Sequence, residues 1–238
     1  MNQQTNQRLE ALLERVQKPA RYVGGEMNAV VKEWQAGVIP FAFCFPDSYE
    51  VAMSHLGMKI IYDVVNRQPD MLCERVMMPW VDMLAGMKAE NIPLFSLENR
   101  KPLSSFAAVG FTLQYEMSYT NILHMLDMGG IAVKNEERDE GAPIVLAGGP
   151  CACNPEPLHP FIDAFLMGDG EESVVEVLRA IAKGREKGLS RVDILRELAA
   201  IPGTYVPRFY EASYHEDGTL KDFQPTDKAA SLPIIKRV

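Results

Sequence analysis

The 238-residue sequence is poor in cysteine, in positive charge and in long apolar stretches. Its four cysteines (Cys44, Cys73, Cys151 and Cys153) are too few and too unevenly spaced for a disulfide framework. With 24 basic and 32 acidic residues the net charge is -8, which argues against a general nucleic-acid binder, because affinity for phosphates is built from Lys and Arg. No apolar run approaches the roughly 20 residues of a membrane helix, and the polar amino end does not resemble a signal peptide. We expect a cytoplasmic protein that binds neither nucleic acid nor membrane directly.

Two nucleotide-binding motifs are missing as well. No G-x-G-x-x-G follows the first apolar run and no G-x-x-x-x-G-K-[ST] occurs, so the usual dinucleotide and P-loop interpretations fail. Cys151 and Cys153 lack the second cysteine pair or the histidines that a zinc site needs. We therefore predict no metal site.

The sequence does contain a series of short, nearly continuous apolar runs separated by segments of helical period. Such runs are typical of strands buried on both faces, as in a parallel sheet. They cover residues 38–45, 92–97, 107–113, 144–147 and 164–167, with a weaker, charged candidate at 72–78. The alternation of strand and helix predicts an α/β fold with a doubly wound, mostly parallel, Rossmann-like sheet.

Apolar spacing predicts the helices. A stripe at residues 174–181 indicates one helix, and Ser190 is the expected N-cap of another. After the first strand, an apolar residue recurs every fourth position and would form one buried helix face, with His55 in mid-helix as a packed or exposed residue rather than a ligand. The residues of that stripe are Ala52, Leu56, Ile60 and Val64.

The sequence pattern changes after residue 201, from alternating strands and helices to strand and turn signals. Residues 204–210 predict a strand, and Asp217-Gly218 is a strong signal for a two-residue hairpin turn. We predict a helical lead-in over residues 1–36, a Rossmann-like domain over 37–201, and a small β-hairpin appendage with a linker over 202–238.

Polar and glycine-rich turns follow the predicted strands, and they form the candidate cofactor-binding site. In an open α/β sheet, ligands bind beyond the carboxyl ends of the strands. Glycines there let the backbone approach a ligand. Glycine turns are also ordinary in any α/β fold. Acidic residues in the first turn of a helix, such as Glu171, are explained by the helix dipole alone. The candidates are Pro46, Asp47, Ser48, Thr112, Gln114, Tyr115, Gly148, Gly149, Pro150, Glu156, Gly168, Asp169, Gly170 and Glu171.

The set of turns, in this order, resembles a known family. Gly148-Gly149-Pro150, then Pro155-Glu156, then an apolar strand ending in Gly168-Asp169-Gly170-Glu171-Glu172 resembles the cobalamin-binding domain that precedes a radical S-adenosylmethionine (SAM) barrel. Residues 49–57, 74–76, 93–98, 110–116, 149–157 and 202–207 are similar to an uncharacterised group of these fusion proteins. The resemblance implies a cobalamin-binding-type fold, with a radical SAM barrel as its partner in cis or in trans.

The sequence departs from the wider family in two ways. The C-x-x-x-C-x-x-C motif that holds a [4Fe-4S] cluster is absent, so the resemblance implies that the cluster and SAM belong to the barrel and that this chain alone is not catalytic. The Asp-x-His-x-x-Gly motif of other cobalamin domains is also absent, so cobalamin would bind without a histidine as its lower ligand.

Two functions are compatible with these observations. The first is a module that positions cobalamin over the active site of the barrel. The second is a Rossmann-like interaction domain that binds no ligand and orients the barrel or recruits its substrate. Sequence separates them poorly, because fold does not fix function.

Overall fold

The computed structural model describes all 238 residues, which form one six-stranded sheet, flanking helices and a separate two-stranded hairpin. The strands are β1 (Ile39–Phe45), β2 (Met71–Met77), β3 (Ala108–Thr112), β4 (Ile144–Gly148), β5 (Ala164–Leu166), β6 (Thr204–Tyr205), β7 (Tyr210–Tyr214) and β8 (Leu220–Pro225). The α-helices are α1 (Gln3–Leu13), α2 (Tyr49–Ser54), α3 (Leu56–Asn66), α4 (Val81–Ala89), α5 (Tyr119–Met128), α6 (Gly170–Glu186) and α7 (Arg191–Ala199).

The main sheet has the order β2-β1-β3-β4-β5-β6. The first five strands are parallel, and only β6 runs antiparallel, against β5. The chain moves from β1 to β2 on one side and then returns to place β3 on the other side of β1. The switch point of the topology therefore lies between β1 and β3, where an open sheet forms a crevice at the carboxyl ends of its strands. The predicted α/β fold with a mostly parallel sheet is confirmed.

Helices cover both faces of the sheet, because its strands are apolar on both sides. In β1, Phe41, Phe43 and Phe45 face the core that contains α3, α6 and α7, while Ala42 and Cys44 face the core that contains α1, α4 and α5. The stripe of α6 at 174–181 is buried, as predicted, and Ser190 caps α7 through a 3.2 Å bond from the Asp193 amide. These two layers hold the strand ends in fixed positions.

Strand β2 forms despite its charges because each charge has a partner. The Arg75 guanidinium lies 2.6 Å from Glu98 and 2.7 Å from Glu26. Glu74, which is fully buried, accepts hydrogen bonds from Trp34 and from Asn99. These ion pairs and hydrogen bonds offset the cost of burying the charges, so the weak strand candidate at 72–78 forms the edge strand β2.

The prediction of a strand at 92–97 is wrong. This run is buried, but only Phe95 forms an isolated bridge, to Pro102. Its backbone amides bond to scattered acceptors: Leu94 to Met128 O, Ser96 to Lys101 O and Leu97 to Arg75 O. A buried apolar run can thus satisfy its backbone without joining a ladder, and periodicity alone does not distinguish the two cases.

The predicted stripe through Ala52, Leu56, Ile60 and Val64 is also wrong as a buried face. The segment breaks at His55, which has the extended angles φ -82° and ψ 118°, and this turns α3 relative to α2. Leu56 is consequently 68% exposed, and α3 buries Met58, Tyr62 and Val65 instead.

The carboxyl-terminal third contains two strands where residues 204–210 predicted one. Residues 204–205 form β6 in the main sheet, and β7 begins only at Tyr210, in the hairpin with β8 that Asp217-Gly218 predicted. The linker that we predicted within 202–238 returns to the sheet at its end, since the Arg237 amide donates to Met167 O and the Asp169 amide donates to Arg237 O. The division into segments at 36/37 and 201/202 stays a prediction, and the main sheet extends past residue 201.

Candidate functional site

A slot of about 370 Å³ opens at the carboxyl edge of the sheet, beside the switch point. Its floor lies between one sheet face and helices α3 and α6. Phe43, Gly110 and Leu146 are aligned across β1, β3 and β4, so their Cβ directions share this face. The apolar side chains of the floor are Phe41, Phe43, Ile60, Ile61, Leu146, Leu166 and Val174.

Glycine at position 110 makes the floor possible. A Cβ there would lie 2.6 Å from the ring of Phe41, which occupies that space. The tip of the aromatic ring thus packs against the backbone of β3 at Gly110.

Nine of the fourteen predicted site residues line the slot, because three of the predicted turns meet at this edge. They are Thr112, Gln114, Gly148, Gly149, Pro150, Gly168, Asp169, Gly170 and Glu171.

The other five candidates lie elsewhere. Pro46, Asp47 and Ser48 follow β1 and turn away from the slot, and the Tyr115 hydroxyl donates to Asp47 at 3.0 Å, which raises the pKa of Tyr115. Glu156 accepts a 2.6 Å hydrogen bond from the Tyr205 hydroxyl, so it ties its turn to β6. Burial and this carboxylate raise the pKa of Tyr205 well above its usual range.

Different structural constraints favour glycine in the turn after β4 and in the turn after β5. Gly149 and Gly168 both have φ of +100°, a region that disfavours side chains. At Gly168 a Cβ would lie 1.9 Å from the carbonyl oxygen of Arg237, so the returning tail fills that space. Gly148 has an ordinary φ, and its nearest neighbour would be Leu166 O at 3.7 Å. At Gly149 a Cβ would lie 3.0 Å from the carbonyl oxygen of Leu113, so among these glycines Gly148 has the most open space.

His55 is the slot residue whose position sequence reasoning missed. It caps α3, since its Nδ1 accepts from the Met58 amide at 3.1 Å, and its Nε2 lies 3.0 Å from Oε1 of Gln114. A Cβ at Gly57 would lie 2.9 Å from the His55 ring, so glycine makes room for the imidazole. The sequence His55-Leu56-Gly57 was the available signal for a helix break. The apolar residues at every fourth position predicted one continuous helix there instead.

No lysine or arginine lines the slot. Its only charged side chains are the carboxylates of Asp169 and Glu171, at the start of α6. Asp169 makes no side-chain cap to the helix. A phosphate would therefore find no cation here and could bind only to the uncapped first amides of α6.

Residues 57–207, more than half of the chain, match the family of radical SAM proteins, N-terminal. The chain belongs to this family. The matched range contains the slot residues from β3, β4, β5 and α6, while His55 lies just before it. An uncharacterized protein of Methanocaldococcus jannaschii is 25% identical over 135 residues, which cover 56% of this chain. The chain spans about a quarter of that relative's length (24%). No solved structure matches this chain.

This radical SAM N-terminal domain contains no group of three or more His, Cys, Asp or Glu side chains placed to hold a metal ion. Cys44 and Cys73 are buried in β1 and β2, and burial raises the pKa of both thiols well above the usual range. Cys151 is half-buried and Cys153 exposed, on the turn after β4. None of the helices has the length and apolar character to cross a bilayer.

Proposed function

We propose that this chain is the cobalamin-binding module of a radical SAM enzyme and that it holds the corrinoid at the carboxyl edge of its sheet. The observation that carries the proposal is the slot, which lies at the switch point where doubly wound folds bind cofactors. Family membership supports the radical SAM part of the proposal. The cobalamin part rests on the geometry of the site and on the resemblance of its turns.

The slot fits one portion of a corrinoid rather than the whole. At about 370 Å³ it is too small for the macrocycle, but it accommodates a planar bicyclic base with its ribose. The apolar floor suits the base, and the polar mouth at Gln114 and Glu171 suits the ribose hydroxyls. The macrocycle would then rest on the edge above Gly148 and Gly149, which carry no side chains.

The chain would hold and shield the cofactor without ligating its metal. Bound cobalamin would supply a cobalt centre for methyl or electron transfer. His55 is the histidine of the slot, and both of its ring nitrogens are engaged, with Met58 and Gln114. A lower ligand from His55 would have to give up at least one of these bonds, so we propose binding without a protein imidazole. The iron-sulfur cluster and SAM would reside in a barrel joined in cis or supplied in trans.

One observation favours the alternative, an interaction domain without a ligand. Large apolar side chains are exposed around the same edge: Leu56, Trp80, Val81, Tyr115 and Met117. Such a cluster is typical of a surface that another protein covers. Docking of a barrel on this edge is compatible with both functions, so the ligand decides between them.

Titration with hydroxocobalamin, followed by visible absorbance after gel filtration, tests the proposal. We expect the parent chain to retain the corrinoid. Gly148→Leu should lower its affinity at least tenfold, because the added side chain enters the slot from a position with ordinary φ. Gly149→Val is a poorer probe, since its φ of +100° adds backbone strain.

Gly141→Leu is the matched control, because Gly141 is exposed and precedes the amino end of β4. It should bind like the parent chain. Equal binding by a folded Gly148→Leu variant would place the site elsewhere. A parent chain that retains no corrinoid would contradict the proposal and favour the interaction domain.

A further inference from the structure

Two thiols that the proposed function does not use lie on the turn after β4. Cys151 and Cys153 belong to a single 3₁₀ turn, Pro150–Cys153. Cys153 is exposed and Cys151 is half-buried, whereas Cys44 and Cys73 are completely buried in the sheet. An oxidant in solution therefore reaches the pair on this turn before it reaches the other two thiols.

The two thiols of the pair differ in their surroundings. Burial raises the pKa of the Cys151 thiol, and the neighbouring Glu116 and Cys153 raise it further. The thiolate is the reactive form of cysteine, so the raised pKa makes Cys151 a slow nucleophile. The exposed Cys153 is then the thiol that a peroxide oxidises first, and Cys151 is the nearby thiol that can react with the product.

The turn as it stands keeps the two side chains apart. A 3₁₀ helix has three residues per turn, so side chains two positions apart point about 120° away from each other around its axis. In a disulfide the two Cβ atoms have to approach to about 3.8 Å. The backbone of the turn must therefore change before a bond between Cys151 and Cys153 can form.

Such a change reaches the slot, because the same turn forms part of its wall. The Cys151 amide donates to Leu113 O at 3.1 Å, just after β3, and the Cys151 carbonyl accepts from the Asn154 amide at 3.1 Å. The second bond closes the segment that contains both cysteines, so we expect it to break when their Cβ atoms converge. Gly149 and Pro150 line the slot and directly precede Cys151. A rearranged turn therefore displaces the slot wall.

We propose that Cys151 and Cys153 are a reversible modification site for peroxides and that their disulfide lowers the affinity of the slot for its ligand. Hydrogen peroxide transfers one oxygen atom to the Cys153 sulfur, which is oxidised to a sulfenic acid, and one water molecule leaves. The Cys151 thiol then loses its proton, its sulfur bonds to the Cys153 sulfur, and the S–O bond breaks to release a second water molecule. Thiol reductants reverse the reaction by exchange, so in a reducing compartment the disulfide is transient.

Only the loss of ligand rests on the proposed function. The disulfide and the rearranged turn can be measured on the chain alone.

Peroxide titration of the folded parent chain, followed by alkylation, digestion with trypsin and mass analysis, tests the modification. We expect the peptide of residues 139–179, which contains both cysteines, to lose two hydrogens and to regain them with dithiothreitol. The amides of Ala152 and Asn154 should exchange hydrogen faster in the oxidised chain, because the turn has opened. Cys44 and Cys73 are the internal control and should stay reduced.

Cyanocobalamin binding, measured after gel filtration removes the reagents, tests the link to the slot. Its cyanide prevents a cysteine from coordinating cobalt, so a change in affinity reports on the turn. Oxidation should weaken binding to the parent chain about five- to tenfold, the usual effect of losing one hydrogen bond, and reduction should restore it. Cys153→Ser should bind like the reduced parent chain before and after peroxide. Cys151→Ser should accumulate the sulfenic acid at Cys153, which dimedone traps.

A disulfide between these two residues, with a reversible loss of affinity, supports the proposal. No disulfide, or equal oxidation of Cys44 and Cys73, overturns it while the proposed function stands. A disulfide that leaves the amide exchange or the affinity unchanged also overturns it, as does an equal loss of affinity in Cys153→Ser. If the reduced parent chain binds no corrinoid, the proposed function fails and the loss of ligand fails with it, whereas the disulfide and the amide exchange still decide the modification site.

Discussion

At the scale of single residues, Asp163 connects two buried arginines, Arg138 and Arg191. Its carboxylate accepts from Arg138 at 2.9 Å, from Arg191 at 2.6 Å and from the Val145 amide at 2.7 Å. Both arginine side chains are almost completely buried. Arg138 and Arg191 also donate to backbone carbonyls of residues 132–143, so this cluster fixes the loop that precedes β4.

Asp163→Ala should therefore destabilise the fold by about 3–5 kcal/mol, because two buried guanidinium groups lose their counter-ion. The exposed pair of Asp70 and Arg179 is the matched control, and Asp70→Ala should cost less than about 1 kcal/mol. Urea denaturation of both variants measures the difference. Similar midpoints for the two variants would show that the buried cluster contributes little.

At the scale of elements, a partly exposed ion pair joins the amino-terminal segment to α2. Arg21 donates to Glu50 at 2.8 and 3.0 Å, and its guanidinium also lies over the ring of Trp80. The hydrogen bond to Arg21 lowers the pKa of Glu50 to about 2, from 4.5. Because the folded pKa lies below the unfolded one, this contribution to stability is complete above pH 4.5 and is lost as the pH falls toward 2.

Glu50→Gln should show this dependence. The difference in urea midpoint between parent and variant should be constant from pH 7 to about pH 5 and shrink as the pH approaches 2. Glu216→Gln, at an exposed position of the hairpin connection, should match the parent at every pH. A difference that persists unchanged at pH 2 would mean that Glu50 acts through packing rather than charge.

The elements also show how far sequence reasoning reaches. β1, β3, β4 and β5 follow from apolar runs because a parallel strand is buried on both faces, and the hairpin follows from Asp217-Gly218. The apolar segment 92–97 is not a strand, although the same rule predicts one, because its backbone amides donate to acceptors outside the β-sheet. The slot glycines were predictable from their places after strands, but His55 was not. Its role depends on a backbone break and on Gln114, 59 residues away.

At the scale of the whole molecule, the cysteines lie apart. Cys44 and Cys73 are in the core of the sheet, whereas Cys151 and Cys153 are on the turn after β4. A [4Fe-4S] cluster bound to three thiolates would have to open the core, which the buried, protonated thiols resist. Anaerobic reconstitution of this chain should therefore yield no stoichiometric cluster, by iron and sulfide analysis. Four irons per folded chain would contradict this prediction.

The pairing of Arg237 with the end of β5 has a consequence for any domain joined behind residue 238. Because the Arg237 backbone is hydrogen-bonded beside Gly168, at the slot mouth, such a domain would be tethered within a few residues of the bound ligand. Its encounter with the ligand would then be intramolecular, with an effective concentration in the millimolar range for a short tether. Weak intrinsic attraction between the two would suffice to keep them together. Their separation would require the two backbone bonds of Arg237 and its ion pairs with Glu172 and Glu176 to break.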